Sequence, residues 1–191
     1  MLLEDAIRSY VPVNQQEQAD RALMLERLAN DPLAFDRSAL THFTASAWTV
    51  DPQGRQTLLC YHKIYDSWSW IGGHADGDRN LEAVALRELQ EETGVCDARL
   101  VSVGEGGIAS LEVLGVLGHV KRGEWVSSHA HLNVTYLFVA DPAQPLRIKP
   151  DENSGVRWVP LDDVLTLSDE PWMCEHVYRK LIARTKSIRW G

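Results

Sequence analysis

Cysteine is scarce in this chain and is not arranged for cross-linking. The three cysteines, Cys60, Cys96 and Cys174, are an odd number, and no two of them are separated by a short spacing. A disulfide framework needs pairs, and a structural zinc site needs closely spaced ligands, so the pattern favours neither. The sequence therefore predicts a protein of a reducing compartment, the cytoplasm.

The sequence also lacks a long apolar run and a surplus of positive charge. No hydrophobic stretch approaches the length of a membrane span, and Glu4 and Asp5 stand where a signal peptide has basic residues. With 19 basic and 27 acidic side chains the formal charge is −8. That balance argues against a general nucleic-acid binder, because such proteins bind by displacing counterions with positive charge. We expect neither a membrane nor a nucleic-acid duplex among the partners.

The remaining composition is that of a globular protein with one core. Hydrophobic residues make up 45% of the 191 residues, which is enough to bury a core. The first forty residues have apolar side chains at helical spacing until Asp31 and Pro32 interrupt them. We therefore predict an N-terminal helical extension over residues 1–40 and a single domain over residues 41–191.

From residue 44 onward the hydrophobic period changes to two. Residues 44–50 and 56–62 flank an Asp-Pro-Gln-Gly turn, which predicts a β-hairpin. Residues 68–71 form a short apolar stretch that ends in two glycines. A Glu-rich segment without proline follows over residues 81–93, and Gly94 closes it, which predicts strand, glycine loop and helix.

The second half of the chain alternates further strands with a final helix. Strands are predicted at residues 100–103, 108–120, 131–140 and 156–159, with a turn at residues 121–124. Ser168 is the predicted N-cap of a terminal helix. This mixture of strands and packed helices predicts an α/β or α+β sandwich.

The predicted helix over residues 81–93 carries three glutamates on one side. At about 100° per residue, Glu88, Glu91 and Glu92 fall within a wedge of roughly 100° that apolar residues share. At such a core rim, three like charges repel one another unless a cation neutralises them. Oxygen ligands favour Mg²⁺ or Mn²⁺ over zinc, and these ions bridge carboxylates to substrate phosphates. An exposed helix whose glutamates pair with Lys or Arg is an equally good interpretation of the spacing alone.

The segment over residues 73–95 resembles the signature of the Nudix hydrolases. That signature reads G-x5-E-x7-R-E-U-x-E-E-x-G-U, where U is a bulky apolar residue. The residues that match it in register are Gly73, Arg87, Glu88, Leu89, Glu91, Glu92, Gly94 and Val95. The hairpin before it and the Arg-Trp-Val-Pro-Leu segment over residues 157–161 agree with the same family.

Two positions depart from the signature. Its first Glu falls on Arg79, and Val84 stands where a small residue is usual. A cation at the start of a helix opposes the positive end of the helix dipole, so we expect Asp76 or Asp78 to compensate Arg79. Asp78 or Asn80 is also the expected helix cap.

The resemblance implies an α/β fold, a Nudix-type α/β/α sandwich with a mixed central sheet. It also implies a hydrolase that cleaves a nucleoside diphosphate derivative by metal-assisted attack of water on phosphorus, with Mg²⁺ or Mn²⁺ as cofactor. By resemblance, Glu88, Glu91 and Glu92 are metal ligands and the Gly73 carbonyl is a further ligand. Arg87 is implied to orient the glutamates.

Two candidates outside the signature concern catalysis and the cleft. Glu152 lies in the loop before the last predicted strand, where many Nudix hydrolases supply an acid that binds metal or activates water. A solvated loop acid is the alternative. His129 and His131 alternate into a strand and can face the cleft together as substrate-binding residues, or merely share a surface face.

Cations and an aromatic ring are the other candidates for substrate binding. An acidic protein that binds an acidic ligand needs local positive charge. Lys63 is the first candidate to supply it, and the alternative is that Lys63 is only a solvated surface charge. Further cationic candidates are Arg55, Lys121 and Arg122. Trp70 is a candidate to stack on a base, with burial of both Trp70 and Trp68 as the alternative.

Three functions are compatible with this sequence. The first is a metal-dependent diphosphate hydrolase, the second a non-catalytic sensor of a nucleotide or sugar nucleotide, and the third a diphosphate isomerase. The intact set of three glutamates favours the hydrolase. An isomerase needs a Cys and a Glu across the pocket, and we expect Cys60 to point into the core instead. The group linked to the diphosphate and the oligomeric state, including a homodimer, are left open.

Overall fold

A computed structural model describes residues 1–121 and 123–190 of the chain. In this part the helices are α1 (Leu3–Ser9), α2 (Gln15–Asn30), α3 (Leu81–Thr93), α4 (Val164–Leu167), α5 (Pro171–Met173) and α6 (Arg179–Ser187). A π-helical turn at Cys174–Tyr178 joins α5 to α6, and short 3₁₀ turns lie at Glu105–Gly107 and Leu161–Asp163. The strands are β1 (Thr41–Val50), β2 (Gln56–His62), β3 (Ser67–Ser69), β4 (Ile71–His74), β5 (Ala98–Leu100), β6 (Ile108–Val116), β7 (His119–Lys121), β8 (Glu124–Val126), β9 (His129–Ala140) and β10 (Asn153–Pro160).

A mixed sheet forms the centre of the fold. Its strand order is β10, β2, β1, β9, β5, with β3 paired to β2, β4 paired to β1 and β6 paired to β9. Strands β1 and β9 run parallel, from Thr41 beside Ala130 to Val50 beside Val139. The predicted hairpin is present as β1 and β2, which pair antiparallel. The mixed sheet confirms the α/β class.

Helices cover both faces of this sheet because the side chains of β1 alternate between them. Phe43 and Ala45 belong to the core that also buries Leu89 of α3. On the other face Trp48 packs with the C-terminal helices, and its indole N–H donates to Thr185 Oγ1 at 3.0 Å. This arrangement confirms the α/β/α sandwich.

The first forty residues contain α1 and α2, as their helical spacing predicts. Ile7 and Met24 are fully buried in the core that includes α3. Asp20 of α2 accepts a hydrogen bond from the Val113 N–H of β6 at 3.0 Å, which fixes α2 beside that strand. None of the helices in the described part of the chain combines the length and apolar character that crossing a membrane requires.

Four predicted elements differ in the structure. The strand predicted at residues 68–71 is divided between β3 and β4, and the two glycines that follow it lie within β4 and not in a loop. The strand predicted at residues 100–103 is β5, which ends at Leu100. The strand predicted at residues 108–120 is divided, because β6 ends at Val116 and β7 turns back to pair with β8. Arg122 lies outside the described residues. Ser168 is not the N-cap of the terminal helix: its N–H closes α4 on the Val164 carbonyl, and Glu170 precedes the helical start at Pro171.

Candidate active site

Helix α3 is fixed at both ends by residues that the sequence marks. Asn80 precedes it, and its side-chain oxygen accepts a hydrogen bond from the Ala83 N–H at 3.2 Å. Gly94 closes it with a left-handed φ of 81°, and its N–H donates to the Gln90 carbonyl at 3.0 Å. Glycine adopts this conformation without a steric penalty, so the helix stops at this residue.

The glutamates of α3 meet the glycines of β4. Leu89 is buried against the sheet. Glu88 and Glu92, four residues apart, are neighbours on the helix surface beside it. The Gly72 N–H donates to Glu92 Oε1 at 3.2 Å. A Cβ atom at Gly73 would overlap the Glu88 carboxylate. Glycine at this position therefore lets the carboxylate lie directly against the β4 backbone.

A third carboxylate reaches the same place from the turn before β10. The Glu152 N–H donates to the Lys149 carbonyl at 2.9 Å, which closes that turn. Asn153 Nδ2 donates to the backbone carbonyl of Glu92 at 3.0 Å and ties the turn to the end of α3. One carboxylate oxygen from each of Glu88, Glu92 and Glu152 lies within 4.8 Å of the other two. Strand, helix and turn thus bring three acids together.

Glu88 and Glu92 lie in an environment that disfavours their negative charge. Glu92 exposes only 2% of its surface. Burial, reinforced by the charges of Glu88 and Glu152, raises the pKa of Glu92 to about 8. Burial also raises the pKa of Glu88. A donor set of carboxylate oxygens beside the Gly73 backbone fits a hard divalent cation, which would neutralise this repulsion.

Glu91, predicted to converge with Glu88 and Glu92, lies outside the group of three acids. Its side chain is exposed, and its Oε2 atom is 3.1 Å from Lys149 Nζ. The same ammonium lies 3.0 Å from Glu152 Oε2. Partial burial disfavours the charged lysine, but hydrogen bonds to Glu152 and Glu91 raise the pKa of Lys149 overall. Sequence analysis missed Lys149. Its position three residues before Glu152 was an available signal that the two side chains form an ion pair.

The resemblance implies that Arg87 orients the glutamates, and within the described residues its ion pair is with an aspartate. Its guanidinium is exposed and lies 3.5 Å from Asp78, in the loop before α3. The positive charge of Arg87 still favours the ionised form of Glu88. The ion pair of Arg87 therefore lies at the loop that leads into the helix.

The predicted compensation of Arg79 by Asp76 or Asp78 is wrong. Arg37 donates to both carboxylate oxygens of Asp76, and Asp78 pairs with a different arginine. The Arg79 guanidinium instead stacks over the Phe35 ring, 4.6 Å from its centroid. The expected cap is Asn80, while Asp78 accepts a hydrogen bond from the Asn80 N–H at 2.9 Å.

His129 and His131 lie across the sheet from the three acids. Successive residues of a strand face opposite sides, so His74 points away from the side on which Gly73 meets Glu88. His129 and His131 share the side of His74, and the ring centroids of His74 and His131 are 5.0 Å apart. The structure therefore does not bring these histidines together with the acids. Sequence analysis missed His74, whose place beside Gly73 was the signal.

Lys63 borders the turn that holds the third acid. Its backbone N–H donates to the Glu152 carbonyl at 3.0 Å, and its Nζ donates to the Pro150 carbonyl. Arg55, by contrast, lies in the turn between β1 and β2. Of these two cations, Lys63 is the one held beside Glu152.

Trp70 and Cys60 lie in the core. Trp70 is buried and packs edge-on against Tyr178, with centroids 6.0 Å apart, which favours burial of Trp70 over stacking on a base, whereas Trp68 is only partly buried. Cys60 is fully buried as predicted, and its Sγ is 3.5 Å from Glu92 Oε2. Burial raises the pKa of the Cys60 thiol far above its ordinary value, so the thiol stays protonated.

Comparison with known proteins agrees with this geometry. A family model described as the NUDIX domain matches residues 40–181. No curated protein sequence matches the chain at a significant level. Solved structures with a similar fold include a NUDIX-family hydrolase from Clostridium perfringens, at 18% identity and a TM-score of 0.52, covering 76% of this chain and 96% of that one.

Two further structures share the fold. A C. elegans Ap4A hydrolase, in a binary complex, has 18% identity and a TM-score of 0.55, covering 76% of this chain and 98% of its own. An E. coli dihydroneopterin triphosphate pyrophosphohydrolase has 10% identity and a TM-score of 0.54, covering 74% and 94% respectively. At these identities the likenesses bear on the fold alone.

Proposed function

The chain belongs to the Nudix family and is a pyrophosphohydrolase of that family, and from this premise we propose that it cleaves the diphosphate linkage of a nucleoside diphosphate derivative. Water attacks phosphorus in the reaction we propose. The observation that carries the proposal is the convergence of Glu88, Glu92 and Glu152 beside the β4 backbone. The pKa values of two of these acids, the half-buried Glu88 and the buried Glu92, are raised, which is typical of functional sites.

We assign the cofactor site to Glu88, Glu91, Glu92 and the carbonyl of Gly73. When bound, Mg²⁺ or Mn²⁺ supplies charge neutralisation for the diphosphate oxygens during the attack. Glu88 lies against Gly73, and the Gly72 N–H holds the Glu92 carboxylate. Glu91, which lies outside the group of three acids and is 3.1 Å from Lys149 Nζ, would have to turn towards Glu88 and Glu92 to join them.

Glu152 is the proposed general base. Its side chain is 31% exposed, so water can reach the carboxylate that accepts the proton. Lys149 and Lys63 hold the turn that carries Glu152 and supply positive charge for the substrate phosphates. We assign Arg87 a positioning role through its contact with Asp78 at the entrance to α3.

The substrate class is a small molecule with a nucleoside diphosphate. The names of two structural neighbours, an Ap4A hydrolase and a dihydroneopterin triphosphate pyrophosphohydrolase, support a phosphate-rich substrate. ADP-ribose, a dinucleoside polyphosphate, an oxidised nucleotide and a coenzyme are the compounds to compare. Release of phosphate or AMP from this panel, with Mg²⁺ and with Mn²⁺, identifies the group on the far side of the diphosphate.

A non-catalytic nucleotide sensor is the second candidate. The observation that favours it is Arg79, which stands where the family signature has its first Glu. Binding of one compound of the panel without any turnover would support the sensor and contradict the hydrolase.

The decisive experiment compares glutamates of α3. Glu92→Gln and Glu91→Gln are each expected to lower kcat by about two or more orders of magnitude, because each removes a ligand of a charge-stabilising ion. Glu82→Gln, in the first turn of the same helix, is the matched control and should retain turnover. Near wild-type turnover of either site variant at saturating Mg²⁺ would show that the metal assignment is wrong.

A further inference from the structure

Four histidines from three strands converge on the side of the sheet opposite Glu88. His42 lies on β1, His74 on β4, and His129 and His131 on β9. His42 pairs in register with His131, so their side chains leave the sheet on one side. One ring nitrogen from each of the four lies within 4.8 Å of the other three. The chain has 7 histidines in all, so more than half of them meet at this point.

The hydrogen bonds of two of these rings direct their second nitrogen inward. His42 Nδ1 lies 2.8 Å from the Ala39 carbonyl, and His129 Nδ1 lies 2.9 Å from the Ser127 carbonyl. A carbonyl only accepts, so each Nδ1 carries a proton, and in the neutral ring Nε2 then holds the lone pair. Backbone carbonyls that fix the ring in this way are the usual outer partners of metal-binding histidines.

His42 supplies the strongest indication of a ligand. Its side chain is 1% exposed, and within the described residues its Nε2 atom is buried without a hydrogen-bond partner. A buried polar atom in that condition is costly unless something else binds it. A hydrogen bond between His129 and His131, whose Nε2 atoms are 3.1 Å apart, explains that pair and leaves His42 unexplained.

The spacing also suits a metal ion. Two nitrogens that bind one tetrahedral zinc ion at ordinary distances are about 3.3 Å apart. The His129–His131 separation of 3.1 Å is already close to this value. The nitrogens of the other pairs lie within 4.8 Å of one another, so those rings would have to move closer to share one ion.

We propose that His42, His74, His129 and His131 bind one transition-metal ion that prefers imidazole nitrogen, with Zn²⁺ as the leading candidate. Imidazole favours Zn²⁺, Ni²⁺, Cu²⁺ or Fe²⁺ over Mg²⁺. Asp76, two residues after His74, is engaged by Arg37, and the group found among the described residues consists of the four histidines. This site is independent of the proposed diphosphate hydrolysis.

Such an ion would connect strands that are distant in sequence. It would join β1, β4 and β9, and β4 also carries the glycines that meet Glu88 and Glu92. The ion would therefore fix the strand that supports the acidic site from its other side. Because it binds the folded state, it should also raise the melting temperature.

The test measures metal content and binding with the whole chain. The protein is stripped with a chelator, incubated with Zn²⁺ in the presence of excess Mg²⁺, desalted and analysed by mass spectrometry for bound zinc. One zinc per chain is expected, with a rise in melting temperature. In parallel, Co²⁺ should give the visible absorption of a four-coordinate nitrogen site.

Matched variants identify the ligands. His42→Asn and His131→Gln should each weaken Zn²⁺ binding at least about tenfold and abolish the Co²⁺ spectrum. His176→Gln, a histidine of the π-helical turn, should retain both. Glu92→Gln should also retain both, which separates this site from the proposed hydrolytic one. His42 is buried, so the His42→Asn variant can fail to fold. In that case His129→Gln is tested in its place, because His129 is only half-buried.

Two outcomes would overturn the proposal. One is a wild-type chain that keeps no zinc after desalting. The other is a folded His131→Gln or His129→Gln variant that binds Zn²⁺ as tightly as wild type.

Discussion

At the scale of single residues, Glu92 and Glu152 lie in one site but are held in different ways. Glu92 is enclosed by Cys60 and by the Gly72 N–H, whereas Glu152 stands on a turn beside Lys149 and faces water. A metal ligand benefits from a fixed orientation, and a general base needs access to the water it activates. The surroundings therefore favour Glu92 as a ligand and Glu152 as the base.

Glu152→Gln tests this division of roles. We expect kcat to fall more than KM rises, and the acidic limb of the pH profile of kcat to disappear, because an amide cannot accept the proton. Steady-state kinetics across the pH range measure both effects. Asp151→Asn, the exposed neighbouring acid, is the control and should keep the limb. A Glu152→Gln profile that matches wild type would remove Glu152 from the role of base.

Glu170 predicts a pH dependence of stability away from the site. Burial raises its pKa from the ordinary 4.5 to about 7, and its Oε2 atom is buried without a hydrogen-bond partner within the described residues. The folded state therefore binds this proton more tightly than the unfolded state. Protonation of Glu170 therefore stabilises the folded state. This contribution is fully present below the ordinary pKa and is lost as pH rises from 4.5 towards 7.

Glu170→Gln should remove this loss, because the amide resembles the protonated acid. At about pH 8 the free energy of unfolding of the variant should exceed that of wild type by on the order of 1 to 2 kcal/mol. At about pH 4 the two free energies of unfolding should be nearly equal. Urea denaturation at both pH values measures the difference. A variant equal to wild type at the higher pH would contradict the assignment.

At the scale of elements, α3 was predictable and its surroundings were only partly so. Its limits follow from Asn80, which caps it, and from Gly94, which ends it, and both signals are local in sequence. The position of Glu91 was not predictable, because Lys149 reaches it from a turn far along the chain. Likewise, the parallel pairing that places His42 beside His131 joins residues with no local signal between them.

Arg79→Glu tests how the first turn of α3 is held. The variant loses a stacking interaction with Phe35 worth about 0.5–1 kcal/mol and gains a favourable charge at the helix start of about 0.3–1 kcal/mol. Stability should therefore change little. We expect kcat to change by less than about tenfold, roughly 1.4 kcal/mol of barrier, because the glutamates later in α3 form the proposed site.

Arg79→Gln is the control for this substitution, since it removes the charge without adding an acid. Turnover assays and urea denaturation of both variants separate the catalytic effect from the stability effect. A nearly inactive wild type that Arg79→Glu activates by several orders of magnitude would favour the sensor over the hydrolase.

At the scale of the whole molecule, the N-terminal helices are joined to the rest of the fold through buried charge. We propose the division into an extension over residues 1–40 and a hydrolase domain over residues 41–191, and the family match from residue 40 supports it. The two parts share a core, because Ile7 and Met24 pack in the same cluster as α3. The extension is therefore expected to fold together with the domain.

A single lysine connects three distant elements at this junction. Lys180 Nζ lies 3.0 Å from Glu17 of α2 and 3.1 Å from Glu112 of β6, and the two acids are 1% and 0% exposed. Burial raises the pKa of Glu112, and Lys180 opposes that shift. Although burial acts against it, the Val13 N–H and Lys180 lower the pKa of Glu17. The ammonium is thus the counter-charge for both acids.

Lys180→Met should destabilise the whole fold, because it leaves two buried carboxylates without their cation. Removing one partner of a buried ion pair typically costs about 3–5 kcal/mol, so urea denaturation should show a loss of that size. Lys186→Met is the matched control: its ion pair with Asp162, at 2.6 Å, is exposed, and such pairs contribute about 0–1 kcal/mol. Equal losses in the two variants would show that Lys180 stabilises the fold no more than a surface charge does. A large loss confined to Lys180→Met would establish that the extension and the domain are held together by this buried charge.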